Sequence, residues 1–193
     1  MNKYSIKTED IDFKEVLNTL GYDQMDESVK ELLLVCKKDL KKAMRACFVY
    51  RVFDYADGVM VDSGFDLEGD SVKEHLKDSQ KCICLCGTLG SEVDNLIRKK
   101  QVTSMAEAMM IDKMASFVTE KVLDKAEEII MSDYEGYEKT FRYGLGYGDF
   151  PITKQKEFLD MLDASRQVGV HVNDASMLMP TKSVTCIIGI KND

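Results

Sequence analysis

The 193-residue chain has no tryptophan, only two prolines and only two histidines, at positions 75 and 171. So little proline excludes a collagen-like or low-complexity chain, and two histidines exclude a His-rich metal site. No apolar run approaches the roughly 18 residues needed to span a bilayer. The opening segment MNKYSIKTEDID lacks the apolar core of a secretory signal, so a cytoplasmic protein is expected. Positive charge is also in deficit: 26 Lys and Arg stand against 34 Asp and Glu, a formal net charge of −8. A field of that sign repels nucleic acid and anionic membranes, and neither is expected as a partner. With 45% hydrophobic residues the chain is not intrinsically disordered, and its length lets it bury a core without staples.

Six cysteines stand at 36, 47, 82, 84, 86 and 186, and with no export signal they read as reduced, mostly buried thiols. Cys82, Cys84 and Cys86 alternate with Ile83 and Leu85. In a strand, residues two apart share a face about 6.6 Å from one another, too spread to chelate one zinc ion. A buried strand explains the row better, and no metal site is expected. Cys36 and Cys47 have no CxxC partner and read as core.

Periodicity divides the chain into a helical part, 1–45, and a mixed α+β remainder, 46–193, within one domain. Asp12 with Glu15 opens one helix that Gly21 closes; Ser28 with Glu31 opens a second. CFVYRVF (47–53) is strand-like, and Asp57-Gly58 signals a hairpin. Ser71 with Glu74 starts a short helix before the apolar strand 81–86. A glycine turn then leads to a helix capped by Ser91, and Ser104 with Glu107 opens the longest helix. A helix from Thr153 to about Ala164, a strand at 169–172, a turn at Asn173-Asp174 and a β-rich tail at 183–190 complete the pattern. The expected class is α+β, with helices packed on a twisted, largely antiparallel sheet.

Few segments suggest chemistry. Gly87–Ser91, a strand-to-helix glycine turn, could hold an anion on free amides but is also a common tight turn. Lys37, Lys38, Lys41, Lys42 and Arg45 form a basic run that usually marks a solvated helix face. His75 reads as surface-exposed and His171 as a sheet residue, and no catalytic triad or other catalytic set is apparent. The informative stretch is TFRYGLGYGDFP. Gly144, Gly146 and Gly148 let a flat ligand approach the backbone closely. Arg142 offers a guanidinium fork suited to a carboxylate; Tyr143, Tyr147 and Phe150 can stack on a ring; Asp149 offers acceptors. These suit a small zwitterionic, ring-bearing ligand, and equally an ordered loop held by its own aromatics.

Arg142-x-x-x-Gly146-Tyr147, then Gly148-Asp149-Phe150-Pro151, a helix and the tail MLMPTKSVTCIIGI resemble the activation domain of cobalamin-dependent methionine synthase, especially its stand-alone form. LNTLGY, GDSVKEHL, CGTLGSEVDNLI and AEAMMIDKMAS extend the resemblance over almost the whole chain. It implies binding of S-adenosylmethionine and rescue of inactive cob(II)alamin by one electron from a flavodoxin-like or ferredoxin-like donor, trapped by methyl transfer. The cobalamin would be carried by a partner, a methionine synthase or related corrinoid protein, served in trans. Carried over by residue, Arg142 would pair with the ligand carboxylate, while the backbone of Gly144, Gly146 and Gly148 would receive the adenosine beside Tyr147. Asp149 completes the candidate cofactor-binding set. The resemblance implies a component of a methyltransferase system rather than a complete enzyme. A docking module that caps a corrinoid protein without the ligand is the alternative. On this reading Arg142→Ala abolishes ligand binding and leaves the fold intact.

Overall fold

In the computed structural model, which describes residues 2–192, the chain opens on a strand and not in helix: β1 (Asn2–Ser5). Its partner specifies it. Tyr4 stacks on Phe48 and Tyr50 across the pair, at 5.2 and 6.1 Å between ring centroids, a long-range contact that four residues of local pattern do not announce. Helix α1 (Phe13–Thr19) starts where expected, with the Asp12 carboxylate accepting the Lys14 and Glu15 amides at 2.8 and 3.1 Å. Helix α2 (Glu27–Ala43) begins after Asp26, so Ser28 lies inside it and caps nothing.

Next come β2 (Cys47–Ala56) and β3 (Val59–Met60), paired across Asp57 and Gly58, both at positive φ (51° and 82°) as a tight hairpin requires. Then follow α3 (Asp70–Leu76), β4 (Lys81–Thr88), α4 (Ser91–Thr103) and α5 (Met105–Met131). Ser104 Oγ caps α5 by accepting the Glu107 amide at 3.4 Å, as its position in the sequence suggests. Ser91 does not cap α4; Gly90 stands at the N-cap with no side-chain bond. After β5 (Tyr137–Lys139) and β6 (Tyr143–Gly144), the helical stretch expected from Thr153 to about Ala164 runs as α6 (Gln155–Met161) and resumes past its expected end as α7 (Ala164–Val168). Asp163 breaks it with a left-handed φ of 50°, its carboxylate accepting from Arg166 and Gln167. A small hairpin, β7 (His171–Val172) and β8 (Leu178–Met179), precedes β9 (Ser183–Asn192). Asn173 Oδ1 holds its turn by accepting the Ala175 and Met177 amides.

The main sheet runs β1-β2-β4-β9-β5, antiparallel at every pairing, with β3 also on β2 and β6 also on β9. Alternation sorts its side chains between two cores. Phe48, Tyr50, Ile83, Leu85, Cys186 and Ile188 face α1, α2, α4 and α5. Val49, Phe53, Cys82, Cys84, Cys86 and Ile187 face α3, α6, α7 and the loop carrying Phe65 and Leu67. Both faces being covered, β4 is buried from Cys82 to Thr88, which is why it reads as a continuous apolar run. The fold class is α+β, helices on an antiparallel sheet.

Candidate functional site

The glycine- and tyrosine-rich segment lies along β9. Its β6 pairs Tyr143 with Ile187 and Gly144 with Cys186. The chain then closes on itself: the Tyr147 amide donates to the Gly144 carbonyl (3.2 Å), Phe150 to Tyr147 (3.0 Å) and Gly146 to Phe150 (2.8 Å). Phe150, 1% exposed, anchors the far end in the core edge-on to Phe65. The Tyr147 ring lies across Gly144, where an added Cβ would sit 3.0 Å from it. Tyr147 and Phe141 nevertheless remain 69% and 70% exposed, presenting two aromatic surfaces to solvent.

Arg142 turns toward α5. Its Nη1 donates to Glu127 Oε1 at 2.7 Å and its Nη2 to Asp124 Oδ1 at 3.0 Å, with Glu120 Oε2 at 3.2 Å. Residues 120, 124 and 127 fall on one stripe of the helix. Glu127 is the buried member and also pairs with Lys139; Glu120 and Asp124 are half exposed. Burial opposes the guanidinium charge, but Glu127, Asp124 and Glu120 together outweigh it and raise the Arg142 pKa. Lys121 also reaches Asp124, Nζ to Oδ2 at 3.1 Å, so Arg142, Lys121 and Lys139 share the three carboxylates; the guanidinium suits a carboxylate, and the acidic side chains an ammonium or sulfonium. Because Arg142 also neutralises a buried carboxylate, the expectation that Arg142→Ala leaves the fold untouched is revised.

Asp149 faces helix α3. Its Oδ2 accepts the Asp70 amide (2.8 Å), and Oδ1 accepts the Ser71 amide (3.0 Å) and the Ser71 hydroxyl. These bonds hold its carboxyl below the usual range, the Ser71 hydroxyl contributing most. Ser71 therefore does not cap its own helix; Asp149 does so from the other side of the chain. The Tyr143 hydroxyl donates to Ser71 Oγ at 2.8 Å. Gly148, at φ +55°, has no room for a side chain: a Cβ would lie 2.5 Å from both Ser71 Oγ and Tyr143 Oη.

His75 is half-buried, contrary to the surface position its sequence context suggests. Its Nε2 lies 2.9 Å from both the Phe141 carbonyl oxygen and Thr140 Oγ1, and its ring packs on Phe141 and Tyr143. Burial lowers its pKa, against the opposing pull of the Phe141 carbonyl. Gly144, Gly146, Tyr147 and Gly148 thus form one surface loop, with Arg142 turned to α5 and Asp149 to α3. Sequence reasoning missed Ser71, His75, Glu120, Asp124 and Glu127; only the i, i+4, i+7 acidic spacing on α5 hinted at the last three.

The other candidates resolve into structure. Cys82, Cys84 and Cys86 are fully buried, and burial raises the pKa of Cys84 and Cys86. Among the described residues no group of three or more His, Cys, Asp and Glu could hold a metal ion. In the Gly87–Ser91 turn the Gly90 amide donates to Thr88 Oγ1 (3.0 Å), and Leu89 accepts the Arg45 amide (2.8 Å). Among the described residues no helix is long and apolar enough to cross a membrane.

The antiparallel sheet with helices on both faces has a counterpart among solved structures. A solved crystal structure of the MetH reactivation domain bound to AdoHcy matches it with a TM-score of 0.69 over 97% of this chain and 77% of that one. Identity is 14%, so the likeness is one of fold. No protein-family model matches the chain, and no curated protein matches its sequence.

Proposed function

We propose that the chain, acting as one domain over 1–193, binds S-adenosylmethionine on the 142–149 loop. It would then support reductive methylation of cob(II)alamin on a methionine synthase or related corrinoid protein in trans. The observation that carries this reading is the shared fold with a reactivation domain solved with AdoHcy bound. The residues fit the ligand. Arg142 takes its carboxylate, and the half-exposed Glu120 and Asp124 suit its ammonium and sulfonium charges. Exposed Tyr147 packs on the adenine, and the backbone of Gly144, Gly146 and Gly148 admits the adenosine closely. The ligand, when bound, supplies an electrophilic methyl group; the protein's task is to bind and orient it. A flavodoxin-like or ferredoxin-like donor supplies the electron, the cobalamin stays with the partner, and the setting is cytoplasmic.

Calorimetric titration with S-adenosylmethionine and S-adenosylhomocysteine tests the reading. Saturable binding, tighter for the sulfonium because of the acidic cluster and lost in Tyr147→Ala, is the expected result. Tyr147 is the better probe for loss, since its exposure lets it be removed without disturbing a core. A second reading is a docking module that caps a corrinoid protein without this ligand. It is favoured by the engagement of Arg142 with three carboxylates and of Asp149 with α3. Absence of binding, with Tyr147→Ala indistinguishable from the unsubstituted protein, would select it.

A further inference from the structure

Helix α3 supplies no residue to the candidate ligand surface, yet it grips both ends of the segment that does. Ser71 and His75 lie four residues apart on one face of the helix. Ser71, with the Asp70 amide, holds the Asp149 carboxylate. One turn further on, His75 meets Thr140 and Phe141 through Nε2 and packs at a tilt against the Phe141 and Tyr143 rings, centroids 4.3 and 5.0 Å away. Tyr143 closes the seam from within, its hydroxyl lying 2.8 Å from Ser71 Oγ and 3.4 Å from the Tyr147 carbonyl oxygen. These contacts bracket residues 142–148.

The dependence runs both ways. A seven-residue helix is too short to persist alone, and α3 has no side-chain cap from its own N-cap residue, Gly69. Asp149 provides that cap from 78 residues away, so an ordered loop is what keeps the first turn of α3 formed. In return α3 fixes where Tyr147 and Gly148 stand. Both Asp149 oxygens are directed at α3, which distinguishes this carboxylate from the ligand acceptor that its position in the sequence suggests.

We propose that α3 is a splint for the ligand segment, with Ser71 and Asp149 at one end and His75 at the other acting as positioning residues that do not touch the ligand. The splint rests on the S-adenosylmethionine reading for its use, though not for its existence. Amide hydrogen exchange and calorimetry on the full chain test the two separately, with Ser71→Ala, Asp149→Ala, their double variant and His75→Gln. In Ser71→Ala and Asp149→Ala the Gly146 and Phe150 amides should exchange faster by about 2- to 30-fold, the range expected for loss of a helix cap. The double variant should be no worse than the more affected single one. Loss of affinity should be by the same factor for S-adenosylmethionine, S-adenosylhomocysteine and adenosine, and Asp149→Asn, which keeps one acceptor oxygen, should restore part of it. His75→Gln should loosen Phe141 and Tyr143 while leaving the core amides of β4 and β9 protected, a control that the fold persists. Unchanged loop exchange in folded Ser71→Ala and Asp149→Ala overturns the splint whatever the ligand does. So does an Asp149 effect confined to ligands bearing an amino group, which marks a direct contact. Faster loop exchange in a protein whose unsubstituted form binds none of the three ligands overturns the ligand reading and leaves the splint standing.

Discussion

Arg142 joins the candidate site to the stability of the fold, and Arg142→Ala measures the connection. The Arg142 side chain is 24% exposed and that of Glu127 9%, so removing the guanidinium strips a buried carboxylate of its 2.7 Å donor. Breaking a fully buried pair by deleting one partner costs about 3–5 kcal/mol. Two features reduce that figure here: Lys139 still pairs with the other Glu127 oxygen, and Glu120 and Asp124 regain solvent. A loss of about 1–3 kcal/mol is expected, the contribution of the exposed pairs being small. For a chain of this length that lowers Tm by about 2–12 °C. Urea denaturation followed by far-UV circular dichroism, without ligand, reads it directly. Glu127→Gln removes the charge that Arg142 neutralises, so the double variant should be more stable than the sum of the single losses, with a coupling of about 1 kcal/mol or more. Arg142→Ala within about 0.5 kcal/mol of the unsubstituted protein, or strict additivity, would refute the assignment of Arg142 as the counter-ion of a buried carboxylate.

Burial holds the His75 pKa below its unfolded value, so the unfolded state takes up more protons and stability rises with pH. The contribution is complete above the unfolded value near 6.5 and is lost as pH falls through and below it; His75→Gln should remove that part of the slope between pH 7.5 and 5.5, and an unchanged slope contradicts it. Of the six cysteines only Cys47 is partly exposed, so a thiol reagent at pH 8 should modify Cys47 first and reach the other five only on unfolding; rapid native labelling of Cys86 would contradict the burial. The Ser79 hydroxyl is buried without a partner. Ser79→Ala should be neutral or more stable by up to about 1–3 kcal/mol in urea denaturation, and a loss beyond about 1 kcal/mol would mean the hydroxyl is bonded after all.

Much of the sheet was legible because its signals are local. CFVYRVF alternates between two cores, Asp57-Gly58 adopts the positive φ pair of a hairpin, and the apolar run at 82–86 becomes the strand buried on both faces. Ser104 and Asp12 cap as their spacing suggests because nothing else competes for the amides they accept. Where the reading failed, a distant residue decided the matter at Ser71 and at β1, and a local backbone reversal at Asp163. Ser71 has the spacing of a cap, but α3 already starts at Asp70, Asp149 accepts the Asp70 and Ser71 amides, and the Ser71 hydroxyl becomes a donor to it. β1 exists because Tyr4 finds Phe48 and Tyr50. The break between α6 and α7 follows from Asp163, which takes a left-handed conformation and then binds Arg166.

The candidate site divides along the same line. Its glycines and tyrosines were visible as one uninterrupted stretch, whereas Glu120, Asp124 and Glu127 resemble any charged helix face until Arg142 is laid against them. That arrangement has a consequence for ligand binding on the proposed reading. A ligand carboxylate cannot simply fill a vacant fork at Arg142; it must replace a carboxylate already there. The exchange is cheapest at Nη2, where Glu120 and Asp124 are half exposed and are rehydrated on release, and dearest at Nη1, where Glu127 would be left buried. On that reading Arg142 would keep Glu127 and offer Nη2 to the ligand, while released Glu120, and Asp124 with Lys121 still on its Oδ2 at 3.1 Å, would receive its positive groups. Binding by exchange of partners makes affinity depend on Glu120 and Asp124 in opposite senses for the two ends of the ligand. Glu120→Gln with Asp124→Asn should thus strengthen a simple carboxylate at this site while weakening S-adenosylmethionine, and calorimetric titration of both with the double variant measures it; parallel changes would rule the exchange out.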